Sequence, residues 1–199
     1  MRLRGPKVRL ARQLGIALTP KAARIMDDRP HPPGQHGASM RRKTSEYKKQ
    51  LMEKQRLRAQ YNVSERQLQN AFTQATRLGG DTGEKLLQRL ELRLDAVVLR
   101  AGFSRTIFAA RQAVTHGHFT VNGRRTNVPS RILKPGDIVA LKPSSREKVA
   151  YTQWLADARP PAYLDVDRDK RSTRVSEVPS RDQIPVQCET SLVVEYYSR

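Results

Sequence analysis

Acidic residues are scarce in this 199-residue sequence: 19 Asp and Glu stand against 38 Lys and Arg, a formal net charge of +19. Apolar and aromatic residues are also few, at 37% and 6%, and the mean hydropathy is −0.69. Soluble domains average about 45–50% apolar residues, a figure that counts Gly. A self-sufficient core is therefore under-supplied for this length. No apolar run approaches the roughly 18 residues that a membrane span needs. The basic N-terminus lacks the apolar stretch and small-residue cleavage site of a secretory signal. Cysteine occurs once, as Cys188, which excludes an intramolecular disulfide and a Cys-rich zinc site. It reads as a small buried apolar residue without chemistry. Secreted, membrane-spanning and disulfide-stapled classes fall away, and an intracellular protein that seeks polyanions is expected.

What is abundant is positive charge, and it is unevenly placed. Residues 1–60 hold 16 Lys plus Arg and 4 acids, residues 61–148 hold 15 and 7, and residues 149–199 hold 7 and 8. Like charges this dense repel one another unless a counter-charge arrives. A nucleic acid backbone supplies one, because each neutralised phosphate releases counterions. The bland alternative is a solvated surface, but ordinary surfaces mix both signs.

Three segments are expected: an extended basic arm over 1–43, a helical domain over 44–91, and an α+β unit over 92–190. In the first, Gly5, Pro6, Gly15, Pro20, Pro30, Pro32, Pro33, Gly34 and Gly37 break any long element. Only Ile16, Leu18, Ala22, Ala23 and Ile25 offer a small apolar set, so the arm is expected to order on its partner. Residues 45–60 predict a helix with few apolar anchors, Tyr47, Leu51 and Met52 among Lys48, Lys49, Lys54, Arg56 and Arg58. Core packing alone does not hold such a helix.

The next helix is clearer. Ser64 and Gln67 make a capping box, Leu68, Ala71, Phe72, Ala75 and Leu78 keep helical spacing, and Gly79-Gly80 ends it. A third helix is expected from Asp81, with a stripe of Leu87, Leu90, Leu94, Val97, Val98 and Ala101 stopped by Gly102. On another face Lys85, Arg89 and Arg93 lie four apart, a basic ridge about 12 Å long at the helical rise. The ridge suits a phosphate track and, equally, a solvated face partnered by Glu84 and Glu91. A fourth helix is expected over 104–117, capped by Ser104 or Thr106. The period then switches to two: Phe119 and Val121 alternate, Asn122-Gly123 makes a hairpin turn, and Arg124 to Val128 returns. Lys134-Pro135-Gly136-Asp137 is a second turn before strand Ile138–Leu141. Tyr163 to Val166 and Thr173 to Val178 suggest two more strands. Tyr151, Trp154 and Tyr163 read as core. Leu192 to Tyr197 is apolar, and periodicity leaves its type open.

Cations and amides gather where these elements meet. A helix N-terminus beside Ser104 and Arg105 suits a phosphate. Arg111 and Gln112 stand one to two turns on, His116-Gly117-His118 leads into the hairpin, and Arg124 and Arg125 extend from its turn. Arg93-Leu94-Asp95, Ser104-Arg105, Ala109 to Val114, His116-Gly117-His118, Val121-Asn122-Gly123 and Lys134-Pro135-Gly136-Asp137 together resemble the small RNA-binding αL module named after ribosomal protein S-four. Several RNA-modifying enzymes carry that module. The rest of the chain resembles the full-length ribosomal family: Arg2 to Lys7, Pro33-Gly34-Gln35-His36-Gly37, Tyr47 to Gln55, Glu65-Arg66-Gln67 and Glu195 to Arg199. Many relatives carry a four-cysteine zinc site in the arm. Here Val8 and Ala11 stand where its first pair would fall, and only His31 and His36 offer soft ligands. A tetrahedral site needs about four, so the resemblance is to the zinc-free form, with no metal and no cofactor.

The resemblance implies a non-enzymatic α+β constituent of the small ribosomal subunit, in the cytoplasm of a bacterium or in an organelle. The family binds the 5′ domain of 16S ribosomal RNA, nucleates assembly of the 30S body, lines the messenger RNA entry pore and affects decoding accuracy through its interface with ribosomal protein S-five. Shape-and-phosphate recognition agrees with the charge census, because the major groove of A-form RNA is closed to side chains. The implied rRNA contacts are Arg2, Arg4, Lys7, Arg9, Arg12, Gln35, His36, Tyr47, Lys48, Arg56, Lys85, Arg89, Arg93, Ser104, Arg105, Arg111, Gln112, His116, His118 and Arg124. Arg41, Arg42 and Lys43 match the entry-pore stretch, and the near-neutral segment after residue 149 suits protein contacts. By the same analogy the C-terminal residues 191–199 join the helical domain. An RNA-modifying enzyme would need a catalytic domain, yet the 90 residues before the module hold no Walker loop, His-Glu-x-x-His or nucleophile elbow. A stand-alone RNA chaperone or rescue factor would lack the helical half. Membrane-surface binding lacks a broad apolar helix face.

Overall fold

A computed structural model describes residues 5–39, 44–146 and 149–198 and divides them into two compact units. Unit 1 comprises residues up to Leu86 together with Val186 onward, and unit 2 runs from Leu87 to Pro185.

Unit 1 begins with helix α1 (Lys7–Leu14) and helix α2 (Pro20–Asp28). The expected extended arm is therefore folded over these residues. Gly15 caps α1, and Pro20 occupies the first turn of α2 behind the Thr19 cap. Pro6, Gly15 and Pro20, which look like breakers, are helix punctuation. Ala11, Leu14, Ile16, Leu18 and Ala22 are buried. Arg56 donates to the Leu14 carbonyl at 2.7 Å, which ties α1 to α3 (Glu46–Gln60). Helix α4 (Glu65–Thr76) carries the expected Ser64–Gln67 capping box. Helix α5 (Thr82–Glu91) crosses the boundary between the units.

In unit 2, α6 (Leu94–Arg100) and α7 (Ile107–Thr115) precede strands β1 (Phe119–Val121), β2 (Arg124–Arg125) and β3 (Ile138–Leu141). Helices α8 (Pro143–Arg146) and α9 (Val149–Ala156), strands β4 (Leu164–Asp167) and β5 (Ser172–Val175) and a 3₁₀ turn at Arg181–Gln183 complete it. The strands form one antiparallel sheet in the order β2-β1-β3-β5-β4. The α+β class is as expected. The third helix is not continuous: it breaks at Leu92-Arg93, where Arg93 bridges Ile132. There Leu133 N donates to Leu92 O and Leu94 N to Arg131 O, each at 2.8 Å. A pairing partner forty residues away stops the helix, and no local signal announces it. The chain then returns to unit 1 as helix α10 (Thr190–Tyr197), which settles the undecided apolar end as helical.

Helix α10 supplies what α3 lacks. Lys54 is buried, pairs with Glu65 at 2.7 Å and lies 4.2 Å from the Tyr196 ring centroid. Gln50 donates to Glu195 at 2.8 Å. Glu53 pairs with Arg56 and accepts from the Glu189 backbone N–H. Cys188 is half-buried rather than buried. Partial burial alone would raise the Glu65 carboxyl. Hydrogen bonds from Lys54, Tyr197 and Arg58, with the positive charge of Lys54, outweigh it and hold Glu65 below its ordinary value.

The core of unit 2 includes Val97, Phe103, Ala110, Val114, Phe119, Val139 and Tyr163, with Phe103 and Phe119 edge to face at 5.5 Å. Beside it Asp95, fully buried, pairs with Arg93 at 3.2 Å and Arg111 at 3.1 Å. Burial raises the Asp95 carboxyl, against the lowering effect of both guanidiniums. Glu91, equally buried, pairs with Arg100 and accepts from the Tyr163 hydroxyl at 2.8 Å.

Two outcomes follow from these clasps. A lowered folded-state pKa makes the Glu65 contribution present above the ordinary glutamate range and lost as pH falls through the folded value. Glu65→Gln should lower Tm at neutral pH and flatten the fall of Tm between about pH 5 and pH 3, measured by calorimetry. Asp95→Ala leaves two buried cations without their shared anion and should cost about 3–5 kcal/mol in urea unfolding; a loss below about 1 kcal/mol contradicts the clasp.

Candidate nucleic-acid interface

The expected contact residues divide by surroundings. Arg2, Arg4, Arg41, Arg42 and Lys43 lie outside the described residues. In unit 1, Lys7, Arg9, Gln35, His36, Tyr47 and Lys48 are exposed. Arg12 is half-buried and donates to the His31 carbonyl at 2.9 and 3.2 Å, so it closes the loop after α2. Arg56 does equivalent work between α1 and α3. The ridge is shorter than expected. Lys85 and Arg89 are half-buried on α5, but Arg93 is 5% exposed and engaged with Asp95. The helix break at residues 92–93 turns it inward.

The clearest convergence is in unit 2. Helix α7 is capped by the Thr106 hydroxyl, which accepts from Ala109 N at 3.2 Å. Thr106, not Ser104, is the cap. Arg105 is exposed immediately before it, and Gln112 and His116 are exposed along and after α7. Arg111 is drawn in toward Asp95, with a side chain only 13% exposed. Its position is fixed by an anion that belongs to the fold.

At the far end of α7 the chain turns through Gly117. This residue has φ +71°, and a Cβ there would lie 2.8 Å from Arg125 Nε. Glycine is needed here for the left-handed backbone, and the Arg125 guanidinium lies over the space that its missing side chain leaves. The hairpin arginine thus folds back onto the His116–His118 turn. His118 pairs through Nδ1 with the Ser145 hydroxyl at 2.9 Å, and its carbonyl accepts from Lys142 N at 2.9 Å. Arg124 is exposed beside Arg125.

The hairpin is anchored to the second turn. Asn122 Nδ2 donates to Asp137 at 2.8 Å, and Asn122 Oδ1 accepts from Ile138 N at 2.8 Å. Desolvation raises the Asp137 carboxyl, but donors from Lys134 N and Asn122, with Arg131 and Lys134 nearby, bring it below its ordinary value. Arg105, Gln112, His116, Arg124 and Arg125 are the exposed cationic and polar groups of this α7–hairpin region. Such a set offers donors and positive charge to phosphates and carries no catalytic pair.

Sequence reasoning missed four contributors. Asp95 and Ser145 hold Arg111 and His118 but are separated from them by 16 and 27 residues. Arg159 and half-buried Trp154 line a cavity with Ser104 and Arg105. The single tryptophan was the one available signal, and its apolar neighbours pointed to core. Ser104 is buried, and its hydroxyl has no hydrogen-bond partner among the described residues.

Residues 2–91 match the family model described as ribosomal protein S4/S9 N-terminal domain, and residues 92–139 match the S4 domain, an RNA-binding domain. The small ribosomal subunit protein uS4 of Streptomyces avermitilis is 49% identical over 199 residues, covering 98% of this chain and 97% of the relative. The same-named protein of Leifsonia xyli subsp. xyli is 50% identical over 198 residues, covering 96% of each. That of Thermobifida fusca is 45% identical over 203 residues, covering all of both chains. With both family models matched in sequence and the relatives aligned nearly end to end, the chain belongs to the uS4 family of small-subunit ribosomal proteins, a structural and non-enzymatic family.

Proposed function

We propose that the protein binds the 5′ domain of 16S ribosomal RNA directly, early in assembly, and nucleates the 30S body on the cytoplasmic ribosome of a bacterium. The observation that carries this reading is the set of Arg105, Gln112, His116, Arg124 and Arg125 exposed around α7 and the hairpin. Fixed donors and guanidiniums of this kind read phosphates and shape, which is how proteins recognise A-form RNA. Unit 1 adds exposed Lys7, Arg9, Gln35, His36, Tyr47 and Lys48, and α5 carries Lys85 and Arg89. In this reading Arg12, Arg56, Arg93, Ser104, Arg111 and His118 shape the surface from within. The net charge of +19 supports a polyanionic partner.

The same reading extends to two finer roles. Arg41, Arg42 and Lys43 form a basic run suited to a messenger RNA strand at the subunit's entry pore. The segment after residue 149 has 7 basic and 8 acidic residues, a balance suited to a protein neighbour such as ribosomal protein S-five. Both rest on the family resemblance together with charge.

Filter binding to a 5′-domain transcript over a salt series tests the core of the proposal. Many phosphate contacts predict a log–log slope magnitude above about 3. Arg105→Gln should reduce that slope by about 1 and weaken binding to all RNA sequences alike. A flat salt response would overturn a phosphate-dominated contact.

A further inference from the structure

Behind Arg105, unit 2 holds a cavity of about 480 Å³, within the range of small-molecule pockets. Trp154 and Ser104 line it and also line a second hollow of about 200 Å³, whose other residues include Gln112, His116 and His118. Around the larger cavity stand Arg100, Arg105, Arg159 and one carboxylate, Asp157. Arg100 is neutralised by Glu91. Arg105 and Arg159, both exposed, outnumber Asp157 and leave a net positive rim.

The wall is rigid. Gly102 has φ +87°, and a Cβ there would lie 2.1 Å from Ala158 Cβ. The chain after α6 therefore touches the chain after α9, and no larger residue fits between them. Tyr151 meets the Trp154 indole edge to face at 5.9 Å and 87°. The indole is thus fixed within unit 2 while remaining only half-buried.

We propose that this cavity holds one unstacked nucleotide of the bound RNA, its base against Trp154 and its phosphate toward Arg105 and Arg159. The inference rests on the RNA-binding reading above and specifies the ligand class of one part of that surface. An aromatic wall with a cationic rim matches a nucleotide in both halves. An acidic peptide would use the arginines and leave the indole idle, and an apolar peptide would do the reverse. A paired A-form duplex presents no free base face, so the occupant must come from a loop, bulge or junction.

Trp154 is the only tryptophan in the chain, so its fluorescence reports on this cavity and on the smaller hollow that shares its indole; the Arg159→Glu variant, on the rim of the larger cavity only, separates the two. The full-length protein is titrated with a 16S 5′-domain transcript and, separately, with a fully paired RNA duplex. Filter binding measures affinity, and emission with acrylamide quenching measures the indole. The expected result is that the transcript quenches Trp154 and shields it from acrylamide, while the duplex binds and does neither. Trp154→Ala should weaken transcript binding about tenfold, and Trp154→Phe should largely restore it, since stacking tolerates any aromatic face. Because Trp154 also contacts the core, Arg159→Glu on an exposed side chain is the second variant. It should reduce both affinity and quenching with an unchanged circular dichroism spectrum. Transcript binding with no change in emission or accessibility, and full affinity in Trp154→Ala and Arg159→Glu, overturns the nucleotide pocket and leaves the RNA-binding reading intact. Shielding that appears only after other ribosomal proteins are added assigns the cavity to a protein and also overturns it. Failure to bind the transcript at all overturns the parent reading.

Discussion

Four buried or half-buried carboxylates carry much of the internal order of this basic chain. Glu53 joins Arg56 to the Glu189 backbone, Glu65 gathers Lys54, Arg58 and Tyr197, Glu91 takes Arg100 and Tyr163, and Asp95 takes Arg93 and Arg111. Each anion is shared by several donors. This arrangement suits a sequence with twice as many cations as anions. Charge that would otherwise repel is drawn into the fold in small clusters, and cations such as Arg9, Lys48, Arg105 and Arg124 are left exposed. Removing one partner of such a cluster strands the others in a poorly solvating interior, which is the expensive step.

The clasps also explain why a weakly apolar chain yields well-formed helices. Helix α3 has few apolar side chains, and the hydrophobic effect offers it little. Lys54 beneath Tyr196, Gln50 on Glu195 and Arg56 on the Leu14 carbonyl replace part of that missing term with directed contacts. In unit 2 the apolar residues suffice for a core, and the ion pairs of Asp95 and Glu91 sit beside it. Arg111 and Arg93 thereby serve as struts of the αL surface, and the exposed groups Arg105, Gln112, His116 and Arg124 are presented by a frame that those struts hold.

Much of this was legible locally. The Ser64–Gln67 box, the Asn122-Gly123 turn and the Lys134–Asp137 turn depend on residues within a few positions of one another, and each appears in the structure. What escaped depends on distant partners. The break at Leu92-Arg93 is imposed by residues 131–133, and it converts Arg93 from a ridge residue to a buried one. The helices α1 and α2 escaped because Gly15 and Pro20 read as interruptions where they are ends. The apolar set Ile16, Leu18, Ala22, Ala23 and Ile25 was too small and too irregular to signal a core without α3 opposite it. At the interface the residue types were readable from composition and spacing. Which arginines face outward was not, because Asp95 selects Arg111 and Arg93 through three-dimensional proximity.

Helix α10 begins about 130 residues after α3 ends, yet it provides the ring and carboxylate that seat Lys54 and Gln50. During synthesis the whole of unit 2 emerges between these two helices. At about 5–20 residues per second, α3 waits roughly 6–26 seconds for the ring that covers its buried lysine, with Glu65 the one carboxylate already beside it. Order of manufacture and order of closure are thus opposed: the unit begun first is finished last. A chain that stops short of residue 190 has every residue of unit 2 but lacks the ring and the carboxylate that cover Lys54 and receive Gln50.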